Sequence, residues 1–597
     1  MVSAKYSVNN QQLDIIFSWI KSKEIAIPEI QRPFVWSSTQ VRDLIDSLYR
    51  GYPIGYLITW KNPNIKLKNG RTSEGLKILI DGQQRVTALT SAILGQEILN
   101  KDYKKIKIKI AFNPVEEKFE VLNPAIFKDS SWIPDISPII KGDLRITEAI
   151  RDYCKKNPSA NPKKVEDILM NLMDIQKKQI GFIELGHDLD IETVTEIFVR
   201  INSKGVELSQ ADFVMSKIAS NEECEGSLLR KAIDYFCHLA ITPEFYRVLQ
   251  KRDEDFVKTD FFKKMSWLKN ENDDLYDPDY KDLIRVVFTH KFNRGRLSDL
   301  VSLLSGRNFE LRTFEEEIVR ESFNNLKQGI FDFINETNFK RFLMIINSAG
   351  FVDKNLVRSQ NVLNFAYSLY LKLKEKNYGS KDIERYVRRW FVMSILTGRY
   401  SGSSESKFDF DIKRINEKGI ENFIKEIEEA ELSDAFWEAS LVQSLNTSVA
   451  SSPYFNVFLA SQVKRNDKGF LSRDLTVRDM VNHRGDIHHV FPKDFLKKQG
   501  LRRGEYNQIA NYCYLQQEIN ISIGNKNPIE YFKEVLAQVS KGEKKYGNII
   551  NKEELLNNFK QNCIPEEMLE KELSYEEFLE ERRKLISEKI REYYFSL

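Results

Sequence analysis

A change of hydrophobic pattern near residue 215 constrains this chain more than any other feature. Before it, short β-branched and aromatic runs, YLITW (56–60) and LKILI (76–80), interrupt two amphipathic stripes. One stripe is Leu13, Ile16, Phe17 and Ile20; the other is Val41, Leu44, Ile45, Leu48 and Tyr49, opened by SSTQ with Ser37 and Gln40 at capping-box spacing. Such runs mark buried strands and such stripes mark helices packed on them. From 216 to about 440, segments such as NLKQGIFDFINE and VLNFAYSLYLKLKEK keep the helical period with few strand signals. One hydrophobic core stops growing beyond about 250–300 residues, so the 597 residues divide into several domains. The pattern predicts a multidomain α+β protein: a mixed unit over 1–215, a mainly α-helical middle over 216–440, and a last mixed module over 441–597.

An apolar content of 42% with 30% charged residues is that of a soluble globular protein. Ninety Lys and Arg against 87 Asp and Glu leave a net charge of +3, so no global field draws the chain to nucleic acid. Any such surface is a local patch. In KDYKKIKIKIAF (101–112), Lys105, Lys107 and Lys109 alternate with isoleucines, as on a strand with one basic face, and a lysine-guarded edge strand is the expected role. KDFLKKQGLRRG (493–504) sets Lys493, Lys497, Lys498, Arg502 and Arg503 against one acid, directly after a histidine pair, and is the stronger candidate. Five widely spaced cysteines without a CxxC pair signal neither a disulfide framework nor a thiolate zinc site. They fit the reduced thiols of a cytoplasmic protein. The longest apolar runs, such as WFVMSIL (390–396), are too short to span a bilayer, so no membrane partner is expected. GRYSGSSESK (398–407) is the clearest glycine- and serine-rich break and suggests a loop or hinge. The terminal SYEEFLEERRKLISEKI predicts a charged amphipathic helix serving packing and solubility.

In GDIHHVFPKDF (485–495) two of the six histidines are adjacent. On an extended backbone neighbours point to opposite sides, so His488 and His489 can serve different tasks. Asn511 follows in QIANYCYL, whose YCYL (512–515) is a strand signal, and Asn520 follows in EINISIGNKNP. A helix is then announced by NPIE, with Asn527 as N-cap, Pro528 at the first position and Glu530 at the capping-box position. Taken alone, the histidine pair serves a polar turn equally well.

These four ordered features resemble the HNH endonuclease motif, in the variant found at the C-terminus of GmrSD-type modification-dependent restriction enzymes. The resemblance implies a ββα-metal nuclease domain. His489 is then the general base, His488 and Asn520 are ligands of Mg²⁺ or Mn²⁺, and Asn511 is a positioning residue of the catalytic site. Asp486 and Asn525 are supporting residues, and His483 is a phosphate contact or structural. Many relatives carry an acid where His488 stands, and an imidazole there widens the choice of metal toward Mn²⁺, Ni²⁺ or Zn²⁺.

Near the N-terminus, ILIDGQQRVTAL (78–89) places Asp81 and Gly82 after a strand and Gln83, Gln84 and Arg85 at the entrance to a helix from about Val86 to Leu94. Backbone N–H groups at a helix start favour an anion, Gly82 permits close approach, and Arg85 can grip a phosphate. A strand-turn-helix corner with an internal Asp–Arg pair explains the same residues. IPEIQRPFVWSSTQVRDLIDSLYRGYPIGYLITW (27–60), the DGQQR segment and EIFVRINSKGVELSQADF (196–213) together resemble the N-terminal domain of the same GmrSD-type family. That likeness implies a ParB-like fold and binding and hydrolysis of a nucleoside triphosphate at Asp81, Gly82, Gln83, Gln84 and Arg85. Gln31 and Arg32 are neighbours in that pocket, and Arg200 and Asn202 are weaker additions.

The function implied is antiphage defence: an N-terminal nucleotide-binding sensor, a helical relay, and an HNH module that cuts modified phage DNA. Two alternatives stand beside it, a ParB-like DNA-binding adaptor with a degenerate nuclease domain, and an HNH effector acting on unmodified DNA or RNA. A double-strand break from a single-metal site needs two cuts, which points to a homodimer or to repeated nicking.

Overall fold

The structure, a computed structural model, describes residues 5–22, 24–26, 34, 36–61, 77–100, 105–186, 189, 197, 210–221, 223–270, 275–482, 487–542 and 544–597. The chain forms two compact units, Met1–Arg230 and Lys231–Leu597, and the division falls within the helix Gly226–Ile241.

In the first unit β1 (Tyr6–Gln12), β2 (Ile25–Ala26), β3 (Tyr56–Lys61), β4 (Lys77–Asp81) and β9 (Gln179–Leu185) make one sheet in the order β1-β9-β3-β4-β2. β9 runs antiparallel to β1 and parallel to β3, whereas β3 and β4 are antiparallel. On one face, Leu57, Leu79 and Phe182 meet Leu13, Ile16 and Phe17 of α1 (Leu13–Lys21), Val41, Ile45 and Leu48 of α2 (Ser38–Tyr49), and Val86 and Leu89 of α3 (Gln83–Ala92) in one buried cluster. On the other face Ile58 and Trp60 pack with Leu185 and Leu189. The central strands are covered on both sides, which is why YLITW and LKILI are apolar throughout. Ser37 and Gln40 form the expected capping box of α2.

Where the chain continues into KDYKKIKIKIAF, no single basic-faced strand forms. β5 (Ile98–Leu99) pairs with β6 (Lys105–Ile106), the ladder breaks at 107–109, and β7 (Ile110–Asn113) pairs with β8 (Lys118–Val121). All four residues of β7 are buried, so tertiary packing overrides the alternation. Lys107 is held by Asp135 at 3.2 Å.

The second unit is helical except for β10 (Ile487–His489) and β11 (Tyr512–Tyr514). Its most polar interior lies where the glycine- and serine-rich segment suggested a hinge. Arg399 and Asp411, 1% and 0% exposed, form a two-point ion pair at 2.6 and 2.7 Å. The Tyr400 hydroxyl donates to Asp411 at 2.9 Å and accepts from Trp390 Nε1 at 3.1 Å. Arg399 and Tyr400 are therefore held in place, because a desolvated charge pair cannot open without exposing both partners to an unmatched environment, while Ser401, Gly402 and Ser403 before the helix Ser404–Lys418 are exposed. Nearby, Tyr276 donates to Asn364, which donates to Asp282, at 2.8 and 2.7 Å.

The segment around β10 and β11 is built on a single apolar cluster including Phe470, Leu471, Val490, Phe491, Leu496, Cys513, Leu515, Tyr531, Phe532, Tyr546, Phe559 and Phe578. Asn527 caps the helix Pro528–Lys541 by accepting from the Ile529 N–H, but Glu530 does not complete a capping box. The terminal helix Tyr575–Phe595 departs most from expectation: Arg582, Lys589, Tyr593 and Tyr594 are all buried. Lys589 pairs with buried Asp467 at 2.5 Å.

Candidate functional site

β10 and β11 pair antiparallel with His488 opposite Cys513 and His489 opposite Tyr512. Beyond His489 both backbone groups of Phe491 are taken by one side chain. Asn511, 0% exposed, accepts the Phe491 N–H at 2.8 Å and donates to the Phe491 carbonyl at 3.1 Å, while its own carbonyl accepts the Val490 N–H at 2.8 Å. Tyr531 closes the set by donating to the Val490 carbonyl at 2.7 Å. Pro492 then caps the short helix Lys493–Lys498. Buried and fully engaged with backbone, Asn511 acts by fixing the chain that carries His489.

His489 is partly buried. Its Nε2 lies 2.9 Å from Asn507 Oδ1, and its ring stands edge-on to Tyr512 with centroids 5.1 Å apart. A carbonyl oxygen can only accept, so with the amide in this orientation Nε2 carries the proton and Nδ1 presents the basic lone pair. Burial pushes the imidazole below its ordinary range, and Lys493 and His488 push the same way against the Asn507 bond. The result is a neutral imidazole at neutral pH, the form that accepts a proton. Asn507 was not singled out from the sequence, although it stands four residues before Asn511 in YNQIAN.

His488, next along the strand, belongs to the opposite side of the pleat. Asn520 lies half-buried on the helix Gln517–Ile523, which directly follows β11, and Asn525 lies in the turn after it. One strand, β10, thus carries both His488 and His489, and the helix after its partner β11 carries Asn520, all within one short span of sequence. Among the described residues no group of three or more His, Cys, Asp or Glu is placed to hold a metal ion. His483 and Asp486 lie outside the described residues. The donors His488 and Asn520 are an imidazole and an amide, a set that suits a cation taking most of its remaining oxygens from water and a phosphate.

The basic segment lies beside His489. Lys493, Lys497, Lys498, Arg502 and Arg503 are exposed. Lys497 pairs with Asp494 at 3.2 Å and Arg502 with Glu505 at 3.0 Å. The Lys493 and Lys497 ammoniums sit 6.0 and 5.8 Å from the centroid of Tyr506, whose ring is 6.5 Å from that of His489.

In the first unit, β4 ends on Asp81, and Gly82 turns the chain into α3 with φ +99°. A β-carbon at Gly82 would meet Leu57 Cδ2 at 2.3 Å, so both the turn and the contact require glycine. α3 begins at Gln83, three residues earlier than expected, which puts Gln83 and Gln84 in its first turn, half-buried. Arg85 is committed internally: Nη2 meets Asp81 Oδ2 at 2.8 Å, and Nη1 donates to the Tyr56 carbonyl at 2.5 Å and the Ile54 carbonyl at 3.5 Å. The corner therefore contains the internal Asp–Arg pair, and Arg85 is engaged within it. Gln31, Arg32, Arg200 and Asn202 lie outside the described residues.

Comparison with known proteins divides the chain in the same place. Residues 14–219 match the family model described as the N-terminal domain of the GmrSD restriction endonuclease, and the first unit carries a domain of that kind. Over nearly the whole length the chain is similar to an uncharacterized protein of Methanocaldococcus jannaschii, 24% identical over 629 aligned residues, covering 95% of this chain and 96% of the relative. No helix of the described residues is long and apolar enough to cross a membrane.

Proposed function

We propose that the chain is a restriction-type DNA endonuclease of antiphage defence, with its hydrolytic site at His488, His489 and Asn520. The observation that carries this reading is a neutral, oriented imidazole on a strand locked by Asn511 and followed by a helix bearing Asn520, joined in one chain to a domain of the GmrSD restriction endonuclease N-terminal kind.

In this mechanism His489 Nδ1 takes a proton from the attacking water while Asn507 holds the ring through Nε2. Asn511 and Tyr531 keep the strand end in register. Lys493 and Arg503 hold the phosphates flanking the scissile bond, a sequence-independent attraction that weakens with salt. His488 and Asn520 would hold a divalent cation, Mg²⁺ or Mn²⁺, which when bound neutralises charge developing on the phosphate and leaving oxygen. The first unit binds a nucleoside triphosphate, its phosphates held by the backbone N–H groups of Gln83 and Gln84 after Gly82 rather than by Arg85. Nucleotide binding or hydrolysis there regulates cleavage, and modified phage DNA is the substrate.

The test is a plasmid and phage-DNA cleavage panel, with and without base or backbone marks, across Mg²⁺, Mn²⁺ and each triphosphate. His489→Ala should lose nicking while still shifting DNA in a gel, and His488→Ala should regain activity at high metal. Equal nicking by His489→Ala would sink the site assignment. Equal cleavage of marked and unmarked DNA would remove the modification dependence.

A further inference from the structure

The arginine buried most completely in the second unit lies behind the histidine site. Arg582 on the terminal helix is 0% exposed, and no carboxylate among the described residues pairs with it. Nη1 donates to the Ala510 carbonyl at 2.8 Å and Nη2 to the Asn562 carbonyl at 3.1 Å. Nε is buried with no hydrogen-bond partner. Burying a guanidinium in this way is costly, and an apolar side chain of similar volume would fill the space without that cost. Stability alone gives no reason to keep the charge.

The two carbonyls suggest the reason. Asn562 ends the helix Lys552–Asn562, where carbonyls lack intrahelical partners and a cation is favoured. Ala510 lies in the 3-10 turn Ile509–Asn511, one residue before the side chain that locks Val490 and Phe491. Two residues further on is Cys513, fully buried, interacting electrostatically with Arg582 and standing opposite His488 in the ladder. A second donor supports the same loop: the Tyr575 hydroxyl, also from the terminal helix, lies 3.1 and 3.2 Å from the carbonyls of Glu505 and Tyr506, just before Asn507.

We propose that Arg582 is a positioning residue of the histidine site: it ties the 509–511 turn to the end of the helix Lys552–Asn562 and so fixes the strand that sets the register of His488 and His489. The proposal rests on the nuclease reading for its effect on turnover, but not for its effect on the strand. A guanidinium spans both carbonyls in one rigid plane, whereas an ammonium donates to them from a single point and a thioether to neither. Removing the tie frees the turn without touching the imidazoles.

The experiment compares the full chain with Arg582→Met and Arg582→Lys by three readouts: thermal midpoint, steady-state nicking of plasmid, and amide hydrogen exchange over residues 487–491 and 509–514. Arg582→Met should remain folded, with exchange in both segments raised at least about tenfold, while the helix Pro453–Lys464 keeps wild-type protection. Its turnover should fall about 100-fold, the cost of a misplacement near 1 Å, with KM for DNA unchanged. Arg582→Lys should recover much of both, and if the methionine variant fails to fold, the intermediate values of the lysine variant carry the test. Unchanged exchange in the two segments overturns the proposal whatever the enzyme does. So does lost activity that only tracks a lower folded fraction. A wild-type chain that nicks nothing, with exchange nonetheless raised in Arg582→Met, would instead reject the nuclease reading and keep the tie.

Discussion

Asn511→Ala isolates what a wholly buried amide does for the site. The substitution removes two well-aligned side-chain hydrogen bonds to Phe491, at 2.8 and 3.1 Å, and leaves a backbone N–H and a carbonyl without partners in a dry interior. Each orphaned group costs about 1–3 kcal/mol, so opening of the 490–491 segment becomes easier by about 2–6 kcal/mol. At about 1.4 kcal/mol per decade, the lower bound alone speeds amide exchange about 30-fold. The assay is hydrogen exchange with fragment-level mass spectrometry, read at Val490 and Phe491, with the buried helix Gln360–Glu375 as internal reference. Nicking should fall together with protection, and Asn511→Asp should remain defective because a carboxylate accepts the Phe491 N–H but cannot donate to its carbonyl. If protection at 490–491 stays within about threefold of wild type while cleavage is abolished, Asn511 acts on the chemistry rather than on the strand, and the reasoning fails.

Two further outcomes follow from the helical interior. Breaking the Arg399–Asp411 pair by Arg399→Met should cost about 3–5 kcal/mol, because it strands the buried Asp411 carboxylate, whereas Asp411→Leu leaves Arg399 paired with Glu431 at 2.9 Å and should cost less. The double variant should recover most of that in a denaturant double-mutant cycle, and full additivity would show that the pair does not act as a unit. Asp282 gives a pH signature: burial, with repulsion from Asp279, pushes its carboxyl up to about 6 from 3.8. The folded state therefore binds this proton more tightly, a stabilisation fully present below about 3.8 and lost as pH rises through 6. Relative to Asp282→Asn, which cannot titrate, the wild type should lose up to about 3 kcal/mol between pH 4 and pH 7. A difference that does not move with pH contradicts this.

Local features were legible wherever short-range chemistry decides them. The α1 and α2 stripes, the Ser37–Gln40 box, YLITW, LKILI and YCYL all stand where propensity and periodicity put them. Adjacent histidines on an extended backbone, with Asn511 and Asn520 downstream, were legible too, because the pleat and the following helix are local. Long-range choices were not. Asn507 as the partner of His489, Arg582 behind β11 and the burial of Arg399 depend on residues 18, 72 and 12 positions away. A glycine- and serine-rich segment and a charged helix look solvent-facing in sequence, and only distant partners, the Asp411 carboxylate for Arg399 and two backbone carbonyls for Arg582, reverse the reading.

The two histidines stand on one strand of three residues, paired with a second of three, and among the described residues a single further bridge, from Phe470 to Leu515, extends that ladder. A two-stranded ladder that short has no stability of its own. Its shape is imposed by Tyr531, Tyr575 and Arg582, which approach from helices well beyond the motif in sequence. The proposed catalytic motif is therefore not a portable cassette: moved to another protein by its sequence alone it would arrive as a flexible tail, and, on that proposal, substitutions far along the terminal helix should behave genetically like active-site lesions.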